Sequence, residues 1–342
     1  MNADMTERKI LGVGIRGAGQ VSWQHLEAIK ANPALRLAAV SSRSRSSAEK
    51  LAAAVQPAAR VYDRYEDMLD DPAVDIVSQC MPNYLHARES VLALRAGKHL
   101  ILEKPVAVTS EELAELRAAA GKSPAKSVVS FVLRWHPLVV NLKSLLDRKA
   151  IGDIYHVEMD YWHGIKPSFS SYEWIRKKEF AGGAMITGGC HAADLARHLK
   201  GEAAEVFAYS TGRRSDFDYP TTYVALVKFR DGTVGKVSAS LDGLAFPYQF
   251  NIDLLGTGGA IRDNRLFSRD LVPRQSGWME LPCATPNSGA VSHHPFKEEI
   301  DDFVDHILHD KPILSDIPDA CKSMEIALAV TRSAETGKPV SL

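Results

Sequence analysis

Between residues 10 and 133, short apolar runs alternate with helix-patterned stretches, and this alternation most constrains what the chain can fold into. The runs at 10–16, 35–41, 74–80, 99–102 and 127–133 are rich in Val, Ile and Leu, the composition of strands buried on both faces. Between them the spacing predicts helices at 21–31, 48–55, 86–96 and 110–120, with part of a short one at 67–69. Ser110 stands where an N-cap is needed, and Gly97 and Gly121 stand where helices stop. Parallel strands require crossover connections, and repeated βα units provide them. The predicted architecture is therefore α/β, with a doubly wound parallel sheet.

Beyond residue 133 the pattern changes. A helix is predicted at 137–148, a strand at 153–162 and a long helix at 182–200. Strands at 221–229 and 233–241 flank Asp231-Gly232, a strong hairpin signal. Further runs at 249–255 and 259–262 flank another glycine-containing turn. Residues 264–292 read as a long surface loop, and 296–309 and 318–336 as helices. Successive hairpins imply an antiparallel sheet, hence an α+β domain. A length of 342 residues accommodates two domains, expected at 1–133 and 134–342.

A formal net charge of −1 advertises neither a nucleic-acid nor a membrane partner. No apolar run reaches the length of a membrane span. The first nine residues are polar and lack an apolar signal core, so a short mobile tail, no export and a cytoplasmic location are expected. Cys80, Cys190, Cys283 and Cys321 are scattered without a CxxC pair. They read as reduced thiols, with no metal framework.

Gly12-Val-Gly14-Ile-Arg-Gly17 matches GxGxxG by letter but would leave too short a strand before it. Shifting the turn to Gly17-Ala18-Gly19-Gln20-Val21-Ser22 provides a full strand first and an amphipathic helix after. The amides of this turn and of the helix N-terminus suit a pyrophosphate. Residues 1–133 thus read as a dinucleotide-binding Rossmann domain. The second strand ends Val40-Ser41-Ser42-Arg43, with no acid to bond a ribose 2′-hydroxyl or repel a 2′-phosphate. Ser42 and Arg43 favour NADP, with NAD as the alternative, and Arg45 is a second candidate cation.

The strand at 99–102 ends in Glu103-Lys104-Pro105. A lysine at a strand's carboxyl end sits where open α/β sheets bind ligands. Pro105 also steers Lys104 away from helical conformation. Further on, Thr187 and His191 would share one face of the predicted helix, with Asp194 beyond them. Gly188 and Gly189 are costly inside a helix unless something approaches the backbone closely. Asp194 would orient His191 or form a cap or salt bridge.

Taken together, Gly17-Ala18-Gly19 with His25, Pro82-Asn83-Tyr84-Leu85-His86, Ala96-Gly97-Lys98-His99, Glu103-Lys104-Pro105, Gly188-Gly189-Cys190-His191-Ala192-Ala193-Asp194 and the closing residues 333–340 resemble the Gfo/Idh/MocA family, the glucose–fructose oxidoreductases and inositol dehydrogenases. The resemblance implies a Rossmann domain followed by an α+β domain with an open, mostly antiparallel sheet. It also implies a homodimer or homotetramer built through that sheet, and a final helix that packs back on the Rossmann domain. The implied reaction is NAD(P)-dependent hydride transfer on a sugar, sugar acid or cyclitol. The family pattern places substrate between Lys104 and the helix bearing His191.

On this reading Lys104 binds the reacting oxygen, His191 is the acid/base, and Thr187 positions one or the other. Thr187 stands where the family pattern has Asp, and threonine can hydrogen-bond but not accept the proton. Pro82 and Asn83 border the nicotinamide ribose, with His86 and Glu103 on the cofactor side. Arg134, Tyr161, Trp162, His163, Trp174, Arg176 and Asp194 are candidate substrate contacts, and His293-His294 could reach over the site. The alternatives are an NAD-dependent glycosidase that oxidises transiently and eliminates, and a dinucleotide sensor without chemistry.

Overall fold

Leu11, Val13 and Ile15 alternate with Gly12, Gly14 and Arg16 along β1 (Leu11–Arg16), and in the computed structural model all three apolar side chains are fully enclosed. The structure describes residues 10–242, 245, 247–286 and 294–342. The tail expected at the N-terminus, and His293, lie outside the described residues. A Cβ at Gly12 would meet the Ala73 carbonyl oxygen at 1.8 Å, and one at Gly14 would meet Met68 Sδ at 3.1 Å. Both glycines serve strand packing, so the turn after β1 begins at Gly17.

β1 pairs in parallel with β2 (Leu35–Ser41) on one side and β4 (Ile76–Gln79) on the other. With β3 (Arg60–Tyr62), β5 (His99–Leu102) and β6 (Ser127–Val129), the described residues form a six-stranded parallel sheet ordered β3-β2-β1-β4-β5-β6. The order reverses between β1 and β4, the point where such sheets open a crevice at their carboxyl ends. The connecting helices are α1 (Gln20–Ala31), α2 (Arg45–Ala52), α3 (Tyr65–Leu69), α4 (His86–Arg95) and α5 (Ser110–Ala120). Helix α2 starts three residues before its expected position because the Ser44 side chain accepts from Ser47 N and caps it. The strand expected to run to residue 133 stops at Val129, and Val132–Trp135 form a single 3₁₀ turn.

The second unit contains α6 (Pro137–Asp147), β7 (Ile154–Trp162), the short helices α7 (Tyr172–Ile175), α8 (Lys178–Ala181) and α9 (Ala184–Thr187), and α10 (Cys190–Lys200). Its strands continue as β8 (Ala203–Thr211), β9 (Thr222–Phe229), β10 (Val234–Ser240), β11 (Gln249–Gly256), β12 (Gly259–Arg262), β13 (Arg265–Ser268) and β14 (Met279–Glu280). After α11 (Phe296–Leu308) and α12 (Ile317–Thr336), β15 (Val340–Ser341) closes the edge of a sheet ordered β14-β13-β12-β11-β7-β10-β9-β8-β15 among the described residues. Only the β7–β10 pairing within it is parallel. β13 and β14 replace part of the loop expected at 264–292. Strands of four and two residues leave too short an alternation to read.

The chain divides into two units, residues 10–106, 111–130 and 296–319 in the first, and 107–110, 131–295 and 320–342 in the second. The main boundary thus falls at 130/131, three residues before its expected position. Helix α11 belongs to the Rossmann unit. Its buried face, Phe296, Ile300, Phe303 and Val304, packs on α1. Residues of α12 from Ala320 onward belong to the second unit. No helix among the described residues is long and apolar enough to cross a membrane.

Candidate functional site

The first set of site residues lies at the carboxyl ends of the parallel strands. Gly17 has φ +97°, in the left-handed region that favours glycine, and its N–H donates to Ser41 O at 2.8 Å. A Cβ at Gly19 would meet nothing within 4 Å, so the turn is open above it. Helix α1 begins at Gln20 without a side-chain cap, so its first amides are left to other acceptors. Ser22 is fully buried, its hydroxyl donating to Gly19 O at 2.6 Å. An open glycine turn against an uncapped twelve-residue helix fits a dinucleotide pyrophosphate, held by Gly17, Ala18, Gly19, Gln20 and Val21.

Ser42 and Arg43 follow β2 directly, the first half-buried and the second exposed. Arg43 has no ion-pair partner among the described residues. Arg45 is engaged, bonding Glu49 at 2.9 Å and Asp63 at 2.7 Å.

At the end of β5, Lys104 is half-buried and its peptide bond to Pro105 is cis. The buried His86 ring ties this segment to the neighbouring one. Nδ1 lies 2.7 Å from the Pro105 carbonyl and Nε2 2.8 Å from the Met81 carbonyl. A neutral ring donates to one of these oxygens and a protonated ring to both. Burial holds the His86 pKa below the ordinary imidazole value, against the pull of both carbonyls. His86 thus fixes the backbone after two neighbouring strands, joining the Pro82-Asn83 turn after β4 to Lys104-Pro105 after β5. The Glu103 side chain turns inward. Its Oε1 lies 3.1 Å from His25 Nε2, and His25 Nδ1 lies 2.9 Å from Ser78 Oγ. The internal Ser78–His25–Glu103 chain is absent from sequence reasoning beyond the presence of His25 itself. The available signal was a histidine on the buried face of α1, beside Ser22, Leu26 and Ile29.

In the second unit the helix expected at 182–200 is broken. The His191 N–H bonds to Gly188 O at 3.1 Å rather than to Thr187, so Thr187 ends α9 while His191 begins the first turn of α10. The cause is close approach. A Cβ at Gly188 would lie 2.6 Å from Tyr161 Cε1, and one at Gly189 would lie 2.6 Å from Ala239 Cβ. The missing side chains let the Tyr161 ring stack on His191, with centroids 5.7 Å apart and planes at 23°. Phe131 meets the same imidazole edge-on at 6.2 Å, and His294 lies 6.0 Å away. The Tyr161 hydroxyl lies 3.3 Å from His163 Nδ1, and Tyr248 packs edge-on against both rings. Burial pushes the hydroxyls of Tyr161 and Tyr248 well above the ordinary tyrosine range, so both stay protonated. Thr187, His191, Tyr161, His163 and His294 are thus held within one unit, and Tyr248 joins them without having been singled out from the sequence.

Four expected substrate contacts are placed differently. Arg134 and Asp194 bind each other. Nε and Nη2 donate to the two carboxylate oxygens at 3.0 and 2.6 Å, and Ser323 adds a third bond at 2.7 Å. Each side chain is 3% exposed, so the pair anchors α10 rather than presenting charge to a ligand. Strand alternation puts Trp162 on the opposite sheet face from Tyr161, away from His191. Arg176 follows α7, bonds Glu173 at 2.8 Å and lies over the Tyr172 ring.

The family model described as an oxidoreductase family with an NAD-binding Rossmann fold matches residues 11–131, and the GFO/IDH/MocA C-terminal domain matches 139–262. Scyllo-inositol 2-dehydrogenase (NAD(+)) of Bacillus subtilis is 28% identical over 346 residues, covering 96% of this chain and 95% of that protein. An uncharacterized oxidoreductase of the same organism is 26% identical, covering 98% and 97%. A solved NAD-binding oxidoreductase from Klebsiella pneumoniae superposes with TM-score 0.87 at 22% identity, covering 97% of this chain and 99% of that one. Levoglucosan dehydrogenase in complex with NADH gives 0.86 at 24% identity, covering 97% and 98%.

Removing one charge of a buried, hydrogen-bonded pair leaves the other uncompensated. Asp194→Asn should therefore cost about 3–5 kcal/mol of stability, read from urea unfolding. A loss below about 1 kcal/mol would place the pair among dispensable contacts.

Proposed function

Given a chain that belongs to the Gfo/Idh/MocA oxidoreductase family, we propose that it moves hydride between NADP and a secondary alcohol of a sugar, sugar acid or cyclitol. The observation that carries this reading is Lys104, set at the carboxyl end of β5 with its backbone fixed through His86 and its neighbour Glu103 turned inward. Bound nicotinamide takes or returns the hydride. Lys104 holds the reacting oxygen and stabilises the charge that develops on it. His191, stacked on Tyr161, accepts the alcohol proton on oxidation and returns it on reduction. Thr187 hydrogen-bonds substrate, and the Tyr161 and His163 rings present a face suited to a polyol. The related inositol and levoglucosan dehydrogenases support this substrate class.

NADP is preferred because β2 ends without a carboxylate and Arg43 is available for a 2′-phosphate, with Ser42 as a further donor. The exposed face of the second sheet is the proposed surface for a second copy of the chain. On it Leu226, 65% exposed, stands opposite Phe207, and Val224 stands opposite Tyr209, 71% exposed. Beside this apolar strip Lys236 bonds Glu158 at 2.7 Å.

Three measurements test these roles. With NADPH or NADH and a panel of inositols, levoglucosan, hexoses and their keto forms, Lys104→Ala should lower kcat by about 10²-fold or more and leave dinucleotide Kd nearly unchanged. Wild-type turnover in that variant would remove Lys104 from the chemistry. Arg43→Ala should lose about tenfold or more in kcat/KM for NADP while NAD is unaffected, and an equal loss with both would refute the phosphate contact. In sedimentation the wild type should weigh a multiple of 37.5 kDa and Leu226→Glu a single chain. An unchanged multiple in the variant would place the interface elsewhere.

A further inference from the structure

Glu299 is a charged residue inside the apolar stripe of α11, among Phe296, Ile300 and Phe303, and it is 0% exposed. Neither of its carboxyl oxygens makes a well-formed hydrogen bond among the described residues, and the Ser130 hydroxyl near it gives at most a weak one. Phe296, three residues earlier on α11, packs against the His25 ring at 4.8 Å. The groups facing Glu299 are His25 from α1, Glu103 after β5 and Ser130 after β6, with Asp302 next along its own helix. Cys80 acts on His25, and Ser78 Oγ lies 2.9 Å from its Nδ1. An unpaired carboxylate so enclosed is expensive, so a carboxyl there stays neutral unless a cation is surrendered to it.

We propose that Glu299 is a positioning residue of the Lys104 site: as a neutral acid it leaves the His25 imidazolium to Glu103, and when ionised it competes for that imidazolium and loosens Glu103. The role rests on the assignment of Lys104 to the reacting alcohol. His25 can donate from both nitrogens, to Ser78 and to Glu103, only when protonated. Burial opposes that charge, but Cys80 and Glu103 outweigh burial and raise the His25 pKa well above its ordinary value. The same enclosure pushes Glu299 up to about 8, with His25 opposing the rise and Glu103 adding to it. One imidazolium serves one carboxylate at neutral pH. A second carboxylate appears as pH rises through that value, next to the residue that precedes Lys104.

The stability consequence has a definite sign. The native state holds a proton on Glu299 that the unfolded chain has released, so this group makes stability fall as pH rises from roughly 5 to 8 and level off above. The experiment compares wild type, Glu299→Gln and Glu299→Leu by urea unfolding across that range. It also follows the pH profile of kcat with NADP and the fastest alcohol of the panel. Glu299→Gln should keep neutral-pH kcat within about twofold, lose its share of the stability slope, and move the alkaline fall in kcat upward by about one pH unit or more. Dinucleotide Kd should stay as in wild type. Glu299→Leu, which keeps bulk without a polar group, should lose the same slope and serves if the Gln variant does not fold. A wild-type alkaline limb in both variants, or an undiminished stability slope in either, overturns the proposal. The unfolding comparison does not involve Lys104. Failure there counts against Glu299 alone, whereas an active Lys104→Ala counts against the functional reading.

Discussion

The contact between His25 and Glu103 is the interaction on which the Lys104 segment depends. A carboxylate adjoining a strand of fully buried Leu100, Ile101 and Leu102 would be costly without a partner, and His25 provides one at 3.1 Å. Turning Glu103 inward leaves Lys104 as the charged residue of the segment directed elsewhere. His86 then fixes the backbone from the other side, through the carbonyls of Pro105 and Met81. Two histidines, neither placed in contact with substrate, thus hold the geometry of one lysine.

In the second unit the equivalent constraint is steric. Gly188 and Gly189 break a helix that the apolar pattern would otherwise continue, and the gap admits the Tyr161 ring and the Ala239 side chain. The break sets His191 into the first turn of α10, stacked on Tyr161, while the Arg134–Asp194 pair locks that helix from within. No carboxylate is supplied by Thr187, and Asp194 is committed to Arg134. His191 therefore has no carboxylate from either of these two positions, and tyrosine hydroxyls that burial keeps protonated lie around it.

Much of this was legible in the residues. Strand periodicity exposed the Rossmann unit because parallel strands buried on both faces read as unbroken apolar runs. The Gly17 turn was separable from the Gly12 register because a strand needs length before it turns. The carboxyl-end position of Lys104 followed from the same count. Other features were hidden for physical reasons. Local pattern does not report which buried polar groups meet, so Arg134 read as a ligand contact and the salt bridge open to Asp194 had no named partner. The face of Trp162 depends on where β7 begins, and one residue decides it. β13 and β14 are too short to carry periodicity. Glu299 did carry a signal, a lone charge in an apolar helical stripe, but its meaning depended on His25 and Glu103, which lie far away in sequence.

The proposed roles all depend on direct hydride transfer between a carbinol carbon and nicotinamide. Deuterium placed on that carbon tests it most directly. Each reduced nicotinamide formed should carry one deuterium, with none washed into solvent. Cleavage of a glycosidic bond with solvent hydrogen entering the neighbouring carbon, the label back on the carbinol carbon and no net reduced nicotinamide would contradict it and point to oxidation followed by elimination.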